Sequence, residues 1–214
     1  MLIAIMLGVI VITYFIADIQ RQTQIETLAV QHKTEIQDIT YQTENFTDYF
    51  LQGTVKLDSA REIREIGNYH FDFALFWFTN ALKNTTESLV QQCIDNCTSA
   101  MGFYLDSYQK FAESKPYFET ATGYTERDKY IEILGYYGAF AQSGKNITLL
   151  RYNASQYLKY AVENLSLGQT ENVSMLMELF NETEELYTSE LGGYDELKDQ
   201  IDGYLFFNEI REED

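Results

Sequence analysis

The apolar and polar positions divide this chain into a short, wholly apolar start and a series of amphipathic segments. Residues 1–17 read MLIAIMLGVIVITYFIA and carry no charge. At 1.5 Å of rise per residue, a helix of this length covers about 25 Å, close to the ~30 Å of a bilayer's hydrocarbon core. The basic region and small-residue cleavage site of a signal peptide are both missing. We therefore predict a retained transmembrane or filament-core helix over Met1–Ala17.

The next segment carries one apolar stripe at the three- and four-residue spacing of a helix face. The stripe consists of Ile25, Leu28, Ile36, Ile39, Phe46 and Phe50, with His32 and Thr43 close to it. It predicts an amphipathic stalk helix over residues 18–53, continuous with the apolar start and ended by Gly53. The stripe would pack on the rest of its own domain, the commoner case, or on a neighbouring subunit.

Residues 54–214 show the same helical spacing, broken by glycines and by the single proline, and no alternating strand pattern. The predicted helices are Leu57–Lys83, Glu87–Ser114, a helix from Thr125 to a break at Ser143–Gly144, Ile147–Leu167, Glu171–Leu191 and Tyr194–Glu212. The apolar run 71–78 predicts that the first of these is buried from several sides. The fold class is thus all-α: a long N-terminal helix followed by an extracytoplasmic antiparallel helical bundle or small α-solenoid.

Charge excludes one broad class of function. The formal net charge is −18, whereas nucleic-acid binding requires clustered lysine and arginine. A surface this acidic is typical of a solvated, self-repelling exterior. No nucleic-acid partner is expected.

The asparagines indicate where the chain resides. Eight of the eleven lie in Asn-X-Ser/Thr sequons, whereas chance predicts about one or two. A glycosylated asparagine must lie on the surface of a translocated domain. We therefore predict N-linked glycans and an extracytoplasmic location, with an archaeal cell surface as the favoured setting. The predicted sites are Asn45, Asn84, Asn96, Asn146, Asn153, Asn164, Asn172 and Asn181.

The first fifty residues resemble type IV pilin-like subunits in architecture, because an apolar N-terminal helix there runs on into an amphipathic one. The resemblance implies assembly with copies of the same chain in a filament core. It lacks a diagnostic motif: Ile5 occupies the position where bacterial pilins carry a glutamate.

Two cysteines occur, Cys93 and Cys97. In an oxidising compartment an even number favours a disulfide, and one helical turn places the two Cα atoms ~6 Å apart, within the tolerated range. We predict a local disulfide. A metal site lacks nearby ligands, and redox catalysis normally uses a closer spacing.

No catalytic motif is present. The chain lacks HExxH, GxSxG, a P-loop and a dinucleotide-binding glycine pattern, and neither His32 nor His70 has the glutamate spacing of a di-metal bundle. Clustered carboxylates such as Glu182, Glu184 and Glu185 are expected on a solvated face. No cofactor or metal is predicted.

These observations favour a non-enzymatic, N-glycosylated structural or interaction protein of the cell surface. Its partners would be membrane lipid or copies of itself, reached through Met1–Ala17. A sensory or solute-binding ectodomain and an accessory subunit of a membrane complex remain the alternatives.

Overall fold

The computed structural model describes the backbone of residues 2–204 and the side chains from Arg21 onwards, apart from Gln22 and Ile25. The described residues form four helices and no strand, so the all-α prediction is confirmed. They are α1 (Leu2–Lys83), α2 (Glu87–Thr122), α3 (Asp128–Ser166) and α4 (Thr170–Asp202). The chain divides into two compact units, residues 1–45 and 46–214.

The second unit is an up-and-down four-helix bundle. Successive helices are joined by short connections and run antiparallel, because late residues of one helix contact early residues of the next. Between α1 and α2, Cys93 lies against Ala74, and Ser107 against Ala60. The ring contacts Phe118–Tyr137 and Phe140–Tyr194 join α2 to α3 and α3 to α4. A stacked contact between Phe71 and Phe180 closes α4 onto α1, so the predicted helical bundle is confirmed.

The buried positions follow a heptad rule. In α2 they alternate in steps of three and four over the whole helix, the spacing of coiled-coil packing. These positions are Val90, Cys93, Cys97, Ala100, Tyr104, Ser107, Phe111, Ser114, Phe118 and Ala121. The same register in α1 is called the bundle seam: Phe46, Phe50, Gly53, Leu57, Ala60, Arg64, Gly67, Phe71, Ala74, Phe78 and Ala81.

Large and small residues alternate within these seams, and large rings lie over glycines. A Cβ atom at Gly67 would lie 2.8 Å from the Tyr104 ring, and one at Gly144 would lie 2.3 Å from the Phe111 ring. Gly67 and Gly144 therefore leave the space that the aromatic side chains of α2 fill.

Several predicted helix ends were wrong. Gly53, Ser143–Gly144 and Gly192–Gly193 lie inside α1, α3 and α4, and α2 continues through Pro116 to Thr122. Six or seven predicted helices therefore merge into four. At Gly53 and Gly144, packing against the rings of α2 outweighs the weak intrinsic helix propensity of glycine, which costs only about 1 kcal/mol relative to alanine. Gly192 and Gly193 are exposed and have no neighbour within 4 Å, so no such packing explains them.

The expectation that residues 71–78 are buried from several sides was also wrong. Phe71 and Phe78 are buried, whereas Phe73 and Phe76 are 39% and 56% exposed. This part of α1 buries its bundle seam and leaves a second apolar face at the surface.

The predicted membrane segment, Met1–Ala17, lies outside the residues whose side chains are described. Among the described residues, no helix contains a stretch long and apolar enough to cross a membrane.

Candidate functional site

A cleft of about 530 Å³ opens on the bundle between α1 and α4. Its lining is charged throughout except for one tyrosine: Asp58, Arg61, Glu62, Arg64, Glu65, Tyr194, Asp195 and Lys198. Helical periodicity brings these residues together, since positions 58, 61, 62 and 65 recur at three- and four-residue spacing along α1. The heptad register places Arg64 at the base of the cleft, at a position where an apolar residue is normal.

Arg64 is the unusual member of this group. The residue is only 8% exposed, and its guanidinium lies 4.7 Å from the centroid of the Tyr194 ring. Its Nη2 donates to Glu65 Oε1 at 3.0 Å, but the buried Nε and Nη1 atoms have no hydrogen-bond partner. A buried donor without a partner costs about 1–3 kcal/mol, so this arrangement is expensive for stability.

Tyr194, on the α4 side of the cleft, also has a buried polar group without a hydrogen-bond partner. It is 2% exposed, and its hydroxyl is buried without a hydrogen-bond partner. Burial raises the pKa of Tyr194, while the nearby guanidiniums of Arg64 and Arg61 oppose that shift. The hydroxyl is therefore a neutral donor next to a permanent cation.

A second arginine of the bundle, the half-buried Arg151, has a carboxylate partner on a neighbouring helix. Arg151 Nη1 lies 2.7 Å from both carboxylate oxygens of Glu184, and its guanidinium stacks 3.7 Å from the Tyr187 ring centroid. Desolvation by burial is the largest single effect on the Arg151 pKa and lowers it. The Glu184 charge and the contacts with two tyrosines together outweigh it, so the pKa is raised. Glu184, expected on a solvated face, is thus half-buried in a salt bridge, whereas Glu182 and Glu185 are exposed. Arg151 thus differs from Arg64 in its two short contacts to a carboxylate, although its buried Nε also lacks a hydrogen-bond partner.

The first unit contains a second candidate feature, an exposed apolar stripe. Every side chain from residue 26 to residue 44 is exposed, including the stripe expected to pack. Within it we define the N-terminal seam as Ala29, His32, Ile36 and Ile39. Ile36 and Ile39 are each 63% exposed, and Ile39 lies one heptad before the buried bundle seam begins at Phe46. Among the stripe residues whose side chains are described, Phe46 and Phe50 alone pack inside the chain, against rings such as those of Tyr130 and Tyr137. Ile25 lies outside the described side chains.

None of the eight sequon asparagines is buried. Asn84, Asn146, Asn172 and Asn181 are exposed, and Asn45, Asn96, Asn153 and Asn164 are half-buried. Only Asn84 lies in a loop; the other seven lie in helices. Glycosylation at all eight stays a prediction.

The third residue of three sequons, the serine or threonine, is inaccessible in the fold. Thr148, Ser155 and Thr183 are buried, and each hydroxyl donates to the carbonyl four residues earlier. Two residues along a helix correspond to a turn of about 200°, so the asparagine and its hydroxyl partner point to opposite sides. A transferase that reads both groups would have to act before these helices form.

Cys93 and Cys97 are adjacent buried thiols in the core of α2. Cys93 Sγ donates to the Ala74 carbonyl at 3.4 Å. The hydrogen bond with Cys93 and burial together raise the pKa of the Cys97 thiol far above its ordinary value. Protonated, buried thiols react slowly. The two sulfurs are not joined in the structure, and their disulfide stays a prediction.

The histidines do not assemble a reactive group. His32 lies 3.5 Å from Glu35 on the exposed part of α1, and His70 contacts Asn96 at 3.3 Å while stacking on Phe103. Across the described residues, no group of three or more His, Cys, Asp or Glu side chains could hold a metal ion.

The sequence reasoning missed Arg64 and Tyr194 as site residues. The signal that could have found Arg64 is its place in the seam, between Ala60 and Gly67, where a charge interrupts an otherwise apolar or small series. Comparison with protein-family models, curated proteins and solved structures finds no match to this chain.

Proposed function

We propose that this chain is a non-enzymatic structural or interaction protein of the cell surface that associates with copies of itself through α1. The N-terminal seam is the contact surface, and residues 1–17 extend the association into a membrane or filament core. The four-helix bundle is then the displayed body, carrying N-linked glycans.

The observation that carries the proposal is the exposure of Ile36 and Ile39, each 63% accessible on a helix face with heptad spacing. Isolated helices are marginal in water, and most helical stability comes from packing an apolar face. A seam that the chain itself leaves uncovered therefore requires a partner.

A second copy is the partner that fits best. Each copy offers the same seam, which satisfies the self-complementarity of a symmetric contact. The segment 21–45 carries two basic and four acidic residues, a net charge of −2 out of −18 for the chain. A contact along this segment brings together only this small charge from each copy, whereas a contact between two whole bundles would bring together most of the −18 on each chain.

The direct test compares two aspartate substitutions that differ in helix face alone. Ile36→Asp places a charge on the N-terminal seam, whereas Val30→Asp places one on the same helix about 120° away. Val30 is 65% exposed and equally β-branched, so it is a matched control. Sedimentation of the full chain in mild detergent should show oligomers for wild type and Val30→Asp, and monomers for Ile36→Asp. A monomeric wild type, or equal effects of the two variants, would refute self-association.

The surface location has its own test. Peptide mass spectrometry of the native protein should find sugar on sequon asparagines, with occupancy at Asn84 the highest because its sequon lies in the α1–α2 loop. Unmodified peptides at all eight positions would remove the argument for an extracytoplasmic location.

A further inference from the structure

The cleft at Arg64 contains buried hydrogen-bond donors without partners, and such donors lower the stability of a fold. Three donor atoms are buried there without partners: Arg64 Nε, Arg64 Nη1 and Tyr194 Oη. A packed apolar residue at position 64 would avoid the cost of burying these donors. Groups that are expensive for stability and converge on one cleft are typical of a binding site.

The rim of the cleft supplies the opposite charge. Arg61 pairs with Asp58, Arg64 with Glu65, and Lys198 with Asp202. Glu62 and Asp195 remain, both exposed, and no ion pair involves either of them among the described residues. The cleft therefore combines unused donors at its base with two unneutralised carboxylates at its edge.

Glu65 indicates which chemical group can bind at the bottom of the cleft. Its carboxylate lies 3.0 Å from Arg64 Nη2 and accepts a second hydrogen bond from Asn68 Nδ2 at 3.3 Å, and its side chain is 64% exposed. A ligand carboxylate could replace it and also reach the Tyr194 hydroxyl, because charge-assisted bonds from arginine to carboxylate are among the strongest in proteins.

The charge of the whole chain narrows the ligand class. A net charge of −18 repels a simple anion, and a simple cation would leave the buried donors unpaired. A zwitterion has no net charge and matches both halves of the cleft. The volume of about 530 Å³ lies within the range of small-molecule sites.

We infer that this cleft binds a small zwitterion of the α-amino-acid class, with its carboxylate at Arg64 and Tyr194 and its ammonium group at Asp195 and Glu62. The inference goes beyond the proposed assembly function, and its residues all lie in the bundle. It assigns the bundle a solute-binding role.

The test is a thermal-shift screen of the full chain against the individual L-amino acids at millimolar concentration, followed by calorimetric titration. Succinate, a dianion, and putrescine, a dication, serve as probes that carry charges of one sign only. At least one amino acid should raise Tm by several degrees, and neither single-sign probe should. A screen without any responding amino acid, or an equal shift with succinate or putrescine, would overturn the inference.

Two variants locate the binding without disturbing the bundle. Asp195→Asn on the exposed rim should raise Kd about tenfold, the effect of losing one charge-assisted contact. Glu196→Gln is the matched control: this neighbouring exposed residue does not line the cleft, so Kd should stay the same. Tyr194→Phe should weaken binding while leaving the fold intact. Equal affinities for Asp195→Asn and wild type would place any binding elsewhere and refute this site.

Discussion

The two stretches of α1 carry one register but opposite burial. From Phe46 to Ala81 the heptad positions lie inside the bundle, and Ala60, Ala74 and Ala81 are fully buried. From Ala29 to Ile39 the same register is exposed along its whole length. Both stretches are amphipathic, and their periodicity does not distinguish them.

A heptad pattern therefore predicts a packing partner without saying whose chain supplies it. In the bundle stretch, α2, α3 and α4 provide rings and small side chains that interdigitate with α1. In the N-terminal stretch, the chain provides no such layer among the described residues. The bundle seam folds the protein, and our proposal is that the N-terminal seam joins it to a copy.

The largest expected contrast lies between equivalent truncations in the two seams. Phe71→Ala should cost about 3–5 kcal/mol in the free energy of unfolding, because it leaves a cavity beside Phe180 and Arg151. Ile36→Ala should change the stability of the bundle by less than about 0.5 kcal/mol, since its side chain is exposed. Chemical denaturation monitored by tryptophan fluorescence of Trp77 measures both. Similar losses would mean that the N-terminal seam is part of the folded core.

Replacing glycine by alanine should have opposite effects on stability in the bundle seam and on the outer faces of the helices. Gly144→Ala places a Cβ 2.3 Å from the Phe111 ring, and we expect a loss of about 1–3 kcal/mol. Gly138→Ala in the same helix meets nothing within 4 Å and should stabilise by about 0.5–1 kcal/mol. Thermal unfolding of the two variants provides the comparison, and an improvement in both would show that the seam is loosely packed.

Alkaline pH should act on the bundle alone. Burial raises the pKa of Tyr104 and of Tyr194 above the ordinary value of 10.0. Their contribution to stability is therefore complete below about pH 10 and is lost as the pH rises from there towards the folded pKa. The loss approaches about 1.4 kcal/mol per pH unit for each buried tyrosine. Denaturation midpoints measured across this window should fall, and a flat profile would contradict the burial of these hydroxyls.

The smallest expected difference in stability lies between phenylalanine substitutions at the same two tyrosines. The Tyr104 hydroxyl donates to Asn68 Oδ1 at 2.9 Å, so Tyr104→Phe should cost about 1 kcal/mol. The Tyr194 hydroxyl is buried without a partner, so Tyr194→Phe should be neutral or slightly stabilising. Equal losses measured by calorimetry would indicate that Tyr194 has a structural hydrogen bond after all.

Part of this picture could be read from the sequence. Helical spacing and the absence of alternation were enough for the all-α bundle, but Gly53 and Gly144 were interpreted as helix ends. Their role depends on Phe118 and Phe111 from another helix, which local propensity does not reveal. Arg64 was overlooked because a charged side chain is normally expected at the surface, although its heptad position places it inside. The sequon pattern predicts location, whereas only the fold shows that Thr148 and Ser155 are also small core residues.

Photo-crosslinking can show whether the N-terminal seam contacts another copy of this chain. A photoreactive phenylalanine analogue at position 39 lies on the seam, and the same group at position 34 lies about 140° away on the exposed helix. We expect covalent oligomers from position 39 alone, with the cross-linked peptide drawn from residues 29–46 of a second copy. Equal yields at positions 34 and 39, or products containing only other proteins or lipid, would contradict it.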